Sequence, residues 1–84
     1  MSMSDKDVMA LITEALSQVD SKRKAEFASI TVDQEITALG LDSIAIMEMV
    51  NFIEEKIDIT FPDSELHKVQ KIGDLAGLIQ TGKV

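Results

Sequence analysis

Apolar residues at helical spacing are what most limit the folds open to this chain. Val8, Leu11, Ile12, Ala15, Leu16 and Val19 recur at i, i+3, i+4, i+7, i+8 and i+11, one face of a helix from about Asp5 to about Val19. The spacing returns in Ile46, Met49, Val50, Ile53 and Ile57 over residues 43–57, and more briefly in Ile72, Leu75, Ala76 and Ile79. No stretch reads as a strand. Ser4 or Asp5 can cap the first helix. Pro62 breaks the chain after the second, and "PDSE" reads as a proline, a cap and an acidic first turn, opening a short helix from Ser64 to Val69. Gly73 and Gly77 weaken the last helix, each by about 1 kcal/mol relative to alanine. The stretch "DSKRKAEFASITVDQEITALG" has no period and is expected to be a connection of about 20 residues, packed by Phe27, Ile30, Val32, Ile36 and Leu39. The expected fold is all-α: a small four-helix bundle, three main helices plus one short helix, with a long first loop. A single domain spanning 1–84 is expected to hold it.

Composition removes several function classes. The chain has no cysteine, hence no disulfide framework and no thiolate metal site. That fits a reducing compartment, so the expected localisation is cytoplasmic. "MSMSDKDVMA" lacks the basic region and apolar run of a signal peptide. No stretch approaches the roughly 20 apolar residues of a membrane span. A net charge of −7 argues against nucleic acid as a partner, which needs clustered lysine and arginine. The charge is unevenly placed. From Asp42 to Glu65 seven acids (Asp42, Glu48, Glu54, Glu55, Asp58, Asp63, Glu65) face one base, Lys56, for a net −6, leaving −1 for the rest. Such a surface either is solvated or steers a basic partner.

"LGLDSIAIMEMV" opens that acidic stretch. Asp42 and Ser43 suit a helix start, where their oxygens satisfy free backbone N–H groups, Asp42 as the cap. With about 100° per residue and Ile46 set toward the core, Glu48 and Glu55 fall opposite it, Ile44 and Asn51 beside them, and Met47 and Glu54 on the shoulder. Two apolar side chains, Ile44 and Met47, are thus expected in solvent among carboxylates, as a contact patch. Catalysis is not expected. A nucleophilic serine needs a base and an oxyanion site, and the only histidine, His67, has no evident orienting partner and is expected at the surface. A helix N-terminus does favour an anion, so a phosphate ester placed on Ser43 by another enzyme would be stabilised there.

"LGLDSI" followed by "EMVNFIEEKIDITFPD" resembles the acyl carrier proteins, the phosphopantetheine-binding or thiolation domains. The resemblance covers nearly the whole chain. It implies that Ser43 carries 4'-phosphopantetheine, taken from coenzyme A by a phosphopantetheinyl transferase, with Asp42 contributing to recognition by that enzyme. It implies that Ile44, Met47, Glu48, Asn51, Glu54 and Glu55 lie on the helix bound by basic patches of partner enzymes. Those partners would be a synthase or transferase and an acyl- or aminoacyl-loading ligase, meeting a monomeric carrier that is itself no enzyme. Ala45 stands where housekeeping carriers of fatty-acid synthesis have an acid, Asn51 where they have an apolar residue, and Lys71 where a capping Ser or Thr is usual; Leu41 is commoner in polyketide or peptide carriers. The resemblance therefore points to a stand-alone specialised carrier in fatty acid, polyketide or related biosynthesis. The alternatives are an aminoacyl or peptidyl carrier, or an unmodified acidic helical module that recruits a basic partner.

Overall fold

The computed structural model describes residues 4–81. Three long helices enclose the core: α1 (Asp5–Val19), α3 (Ser43–Ile57) and α5 (Ile72–Thr81). Two one-turn helices join them, α2 (Lys24–Phe27) and α4 (Asp63–Leu66), along with 3₁₀ turns at Ser21–Arg23 and Ile36–Leu39. Among the described residues there is no strand, only an isolated bridge between Glu35 and Lys71. None of the described helices is long and apolar enough to cross a membrane.

The periodic stripes become the core. Val8, Leu11, Ile12, Ala15 and Leu16 of α1 pack with Met49, Val50 and Ile53 of α3 and with Ile72, Leu75, Ala76 and Ile79 of α5. Ile46 and Ile57, placed on the core face by spacing, are only half-buried at its edge. Ser4 caps α1, its Oγ accepting the Asp7 N–H at 3.2 Å. Asp20 then ends the helix, and its carboxylate accepts the Lys22 N–H at 3.2 Å to start the next turn.

The first connection differs from the expected plain loop, because it contains α2. Phe27 is fully buried and drives that single turn. Arg23 braces it, donating to the Glu26 carboxylate through Nη2 at 2.7 Å and Nε at 3.1 Å while lying over the Phe27 ring. One turn is too short to show a period in the sequence. Ile36 and Leu39 are buried and Ile30 half-buried as expected, but Val32 is 49% exposed. Its backbone is what matters: the Val32 carbonyl accepts the Gly73 N–H, the Gln34 carbonyl accepts the Ile72 N–H, and the Ile36 N–H donates to Gln70, each at 2.9 Å.

These bonds explain how α5 starts without a Ser or Thr at Lys71. The loop carbonyls satisfy two of its free N–H groups. Asp74 reaches back to accept the N–H groups of Lys71 at 3.0 Å and Gln70 at 3.1 Å, half of a capping box. Those two bonds, Lys71 first, hold its carboxyl below its ordinary range. The short helix before it starts at Asp63, one residue earlier than expected, and its last helical residue is Leu66. Pro62 is its N-cap and no side chain caps it, so Asp63 is the first helical residue instead of the cap.

Candidate functional site

Four consecutive residues set the position of Ser43. Leu39 is buried, ending the 3₁₀ turn inside the core. Gly40 reverses the chain at φ 75°, a left-handed conformation that glycine adopts without steric cost. Leu41 is half-buried against the core. Asp42 is extended and caps α3, its Oδ1 accepting the Ala45 N–H at 2.8 Å. Ser43 is therefore the first helical residue of α3, and it is exposed. Because Asp42 performs the capping, the Ser43 hydroxyl is not needed for it. Among the described residues Ser43 Oγ has no hydrogen-bond partner. A 15-residue helix points its positive end at this hydroxyl. The arrangement can receive and stabilise an anionic group.

The face of α3 next to Ser43 presents the expected patch. Ile44 is 72% exposed and Met47 63%, and Glu48, Asn51 and Glu55 are exposed beside them. Lys56, the one base of this stretch, turns toward α1, with its Nζ 3.6 Å from Glu14 and lying over the Phe52 ring. Glu54 differs from its neighbours. It is half-buried, and its Oε2 accepts the Phe61 N–H at 2.8 Å. No group of acids and histidines among the described residues could hold a metal ion.

Two apolar spaces lie under this face. A groove of about 220 Å³ runs between α3 and α4, with Met47, Asn51 and Glu54 on one side and Asp63, Leu66 and His67 on the other. A cavity of about 110 Å³ lies deeper, lined by Met49, Val69 and Leu75 among others. Ile46, Val50 and Leu66 line both spaces. The wall contributed by α4 was not legible as part of a site. His67 is exposed, as the sequence leads one to expect, but it stands at the groove's rim. The signal that could have found it is the short spacing from Pro62, which folds the chain back along α3.

Comparison with known proteins identifies the family. The family model described as "Phosphopantetheine attachment site" matches residues 8–79. An acyl carrier protein of Helicobacter acinonychis is 34% identical over 79 residues, 93% of this chain and 92% of that protein. Acyl carrier proteins of Exiguobacterium sibiricum and Wolinella succinogenes are 30% and 31% identical, covering 94% and 92% of this chain and 98% and 93% of theirs. No solved structure matched significantly.

Proposed function

The chain belongs to the phosphopantetheine-binding acyl carrier proteins, and on that premise we propose that Ser43 is the attachment residue, that residues 1–84 work as one carrier domain, and that the exposed face of α3 docks its partners. Domains of this family carry covalently attached 4'-phosphopantetheine, and the chain is a carrier used by enzymes instead of an enzyme itself. The group supplies a thiol, which holds an acyl cargo as a thioester; the chain needs no cysteine of its own.

The observation that carries the proposal is the division of labour at the start of α3. Asp42 caps the helix and leaves the Ser43 hydroxyl exposed at its positive end. Among the described serines, Ser43 is the one that combines the N-terminus of a long helix with an adjoining apolar patch rimmed by acids. Ile44 and Met47 offer apolar contact, and Glu48 and Glu55 offer charge to a basic partner. A phosphopantetheinyl transferase is the first such partner; a synthase or transferase and a loading ligase come after it. The cavity between α3, α4 and α5 is lined mainly by apolar side chains, which favours an acyl cargo over an aminoacyl one. Half-exposed Ala45 and exposed Asn51 lie where a partner would meet them. Their departure from the housekeeping pattern supports a specialised pathway in fatty acid, polyketide or related synthesis.

The test is incubation with coenzyme A and a broad-specificity transferase, read by intact mass. Gain of one phosphopantetheinyl group supports the proposal. An unchanged mass, with a known carrier modified in the same tube, would leave an acidic interaction module as the better reading.

A further inference from the structure

Glu54 is the acid of α3 that the fold itself uses most. Its carbonyl accepts the N–H groups of both Asp58 and Ile59. Those bonds close the end of α3, where Asp58 sits in the left-handed region at φ 57°. Its carboxylate reaches beyond that turn to the Phe61 N–H at 2.8 Å. Residue 54 thus holds three backbone N–H groups of the stretch between α3 and α4.

The bond to Phe61 matters because of where that residue lies in the chain. Phe61 is 4% exposed and belongs to the core. Pro62 comes next and caps α4 without any side-chain bond. The placement of α4 therefore depends on Phe61 and on whatever fixes its backbone. Asp63, Leu66 and His67 of that region form one side of the groove, and Glu54 lies on the other. A carboxylate accepting an N–H makes a charge-assisted bond, about twice as strong as a neutral one. A docking cation would have to compete for it. Among the described residues Glu48 and Glu55 make no such bond, and both are exposed.

We infer that Glu54 is a positioning residue: its carboxylate sets α4 against α3 and so the width of the groove beside the docking face, and it does not serve as a docking charge. The consequence for docking rests on the proposed reading of α3, whereas the bond to Phe61 stands without it.

Crossed substitutions in the full-length chain separate length from charge. Glu54→Asp keeps the charge but is one methylene too short to reach Phe61. Glu54→Gln keeps the reach and an accepting oxygen but loses the charge. Glu48→Gln is the comparison for a free docking charge. Two quantities are read: exchange of the Phe61 amide proton by NMR, and the salt dependence of the rate of phosphopantetheinyl transfer from coenzyme A. In Glu54→Asp, Phe61 exchange should rise by about tenfold, the scale of one lost bond to a charged group, with the parent's salt dependence. In Glu54→Gln, exchange should stay within a few-fold of the parent's and the salt dependence should again be unchanged. Glu48→Gln should flatten the salt dependence and leave Phe61 alone. Parent-like Phe61 exchange in Glu54→Asp overturns the inference, and so does a Glu54→Gln salt dependence as flat as that of Glu48→Gln. If Glu48→Gln has no effect, the docking reading of α3 fails, while Phe61 exchange still decides the role of Glu54.

Discussion

Asp42 and Ser43 are neighbours with opposite duties, and substitution should separate them. Asp42→Ala removes the acceptor for the Ala45 N–H, so unfolding by denaturant should show a loss of about 1 kcal/mol. Ser43→Ala removes a hydroxyl with no structural bond among the described residues, so its stability should stay within about 0.5 kcal/mol of the parent. Equal losses from the two would mean that Ser43 is part of the cap. This pair was legible in the sequence because capping is local: the acid, the serine and the apolar run lie within a few residues. Glu54 was not legible in the same way. The spacing put it on the shoulder of α3, but its partner Phe61 lies seven residues on, across a left-handed turn made by an aspartate where glycine is the usual signal.

At the scale of elements, α1 and α3 were readable because each carries four turns of apolar period, and their observed ranges coincide with the expected ones. The one-turn helices have no period to read, and the start of α5 depends on carbonyls almost forty residues earlier in the chain. Both glycines of α5 look like helix weakeners in the sequence, yet the fold treats them differently. A Cβ on Gly73 would lie 3.1 Å from the Val32 carbonyl oxygen and 3.3 Å from the Val32 Cβ, whereas one on Gly77 meets nothing within 4 Å. Gly77→Ala should therefore stabilise by up to about 1 kcal/mol. Gly73→Ala should gain less than Gly77→Ala, because Val32 must give way by a few tenths of an ångström to admit the Cβ. Thermal melts of the two would decide, and equal gains would contradict the contact. Asp74 adds a pH dependence. Its folded carboxyl titrates below its ordinary value, so the folded chain binds fewer protons than the unfolded one. That contribution is complete above the ordinary aspartate value of about 4 and is lost as pH falls through the lower folded value. Asp74→Ala should lower the melting temperature at neutral pH and make its decline on acidification shallower. Parallel curves would remove Asp74 from the account.

For the whole molecule, charge and cavity act together. The sequence places most of its excess negative charge between Asp42 and Glu65, and the fold turns Lys56 away toward Glu14, so the exposed face of α3 proposed for docking is more uniformly acidic than composition alone implies. Beneath it lie a groove and a cavity that share Ile46, Val50 and Leu66 in their walls, the first and last of them half-buried. A medium-length acyl chain entering there would exchange water for apolar wall at about 25 cal/mol per Å². Loading such a chain should raise the melting temperature above that of the unacylated holo form and shift the methyl resonances of Ile46 and Val50. Identical melts and spectra would place the cargo in solvent and favour a short or polar group. These spaces were not legible from spacing, which tells which residues face inward but not how well they fill the interior. The central claim concerns one hydroxyl, and fragmentation mass spectrometry of the chain after transfer from coenzyme A tests it most directly. The account predicts a single phosphopantetheinyl group on the peptide bearing Ser43 and an unmodified Ser43→Ala chain. A group found on Ser21, Ser29 or Ser64, or one still gained by Ser43→Ala, would contradict it.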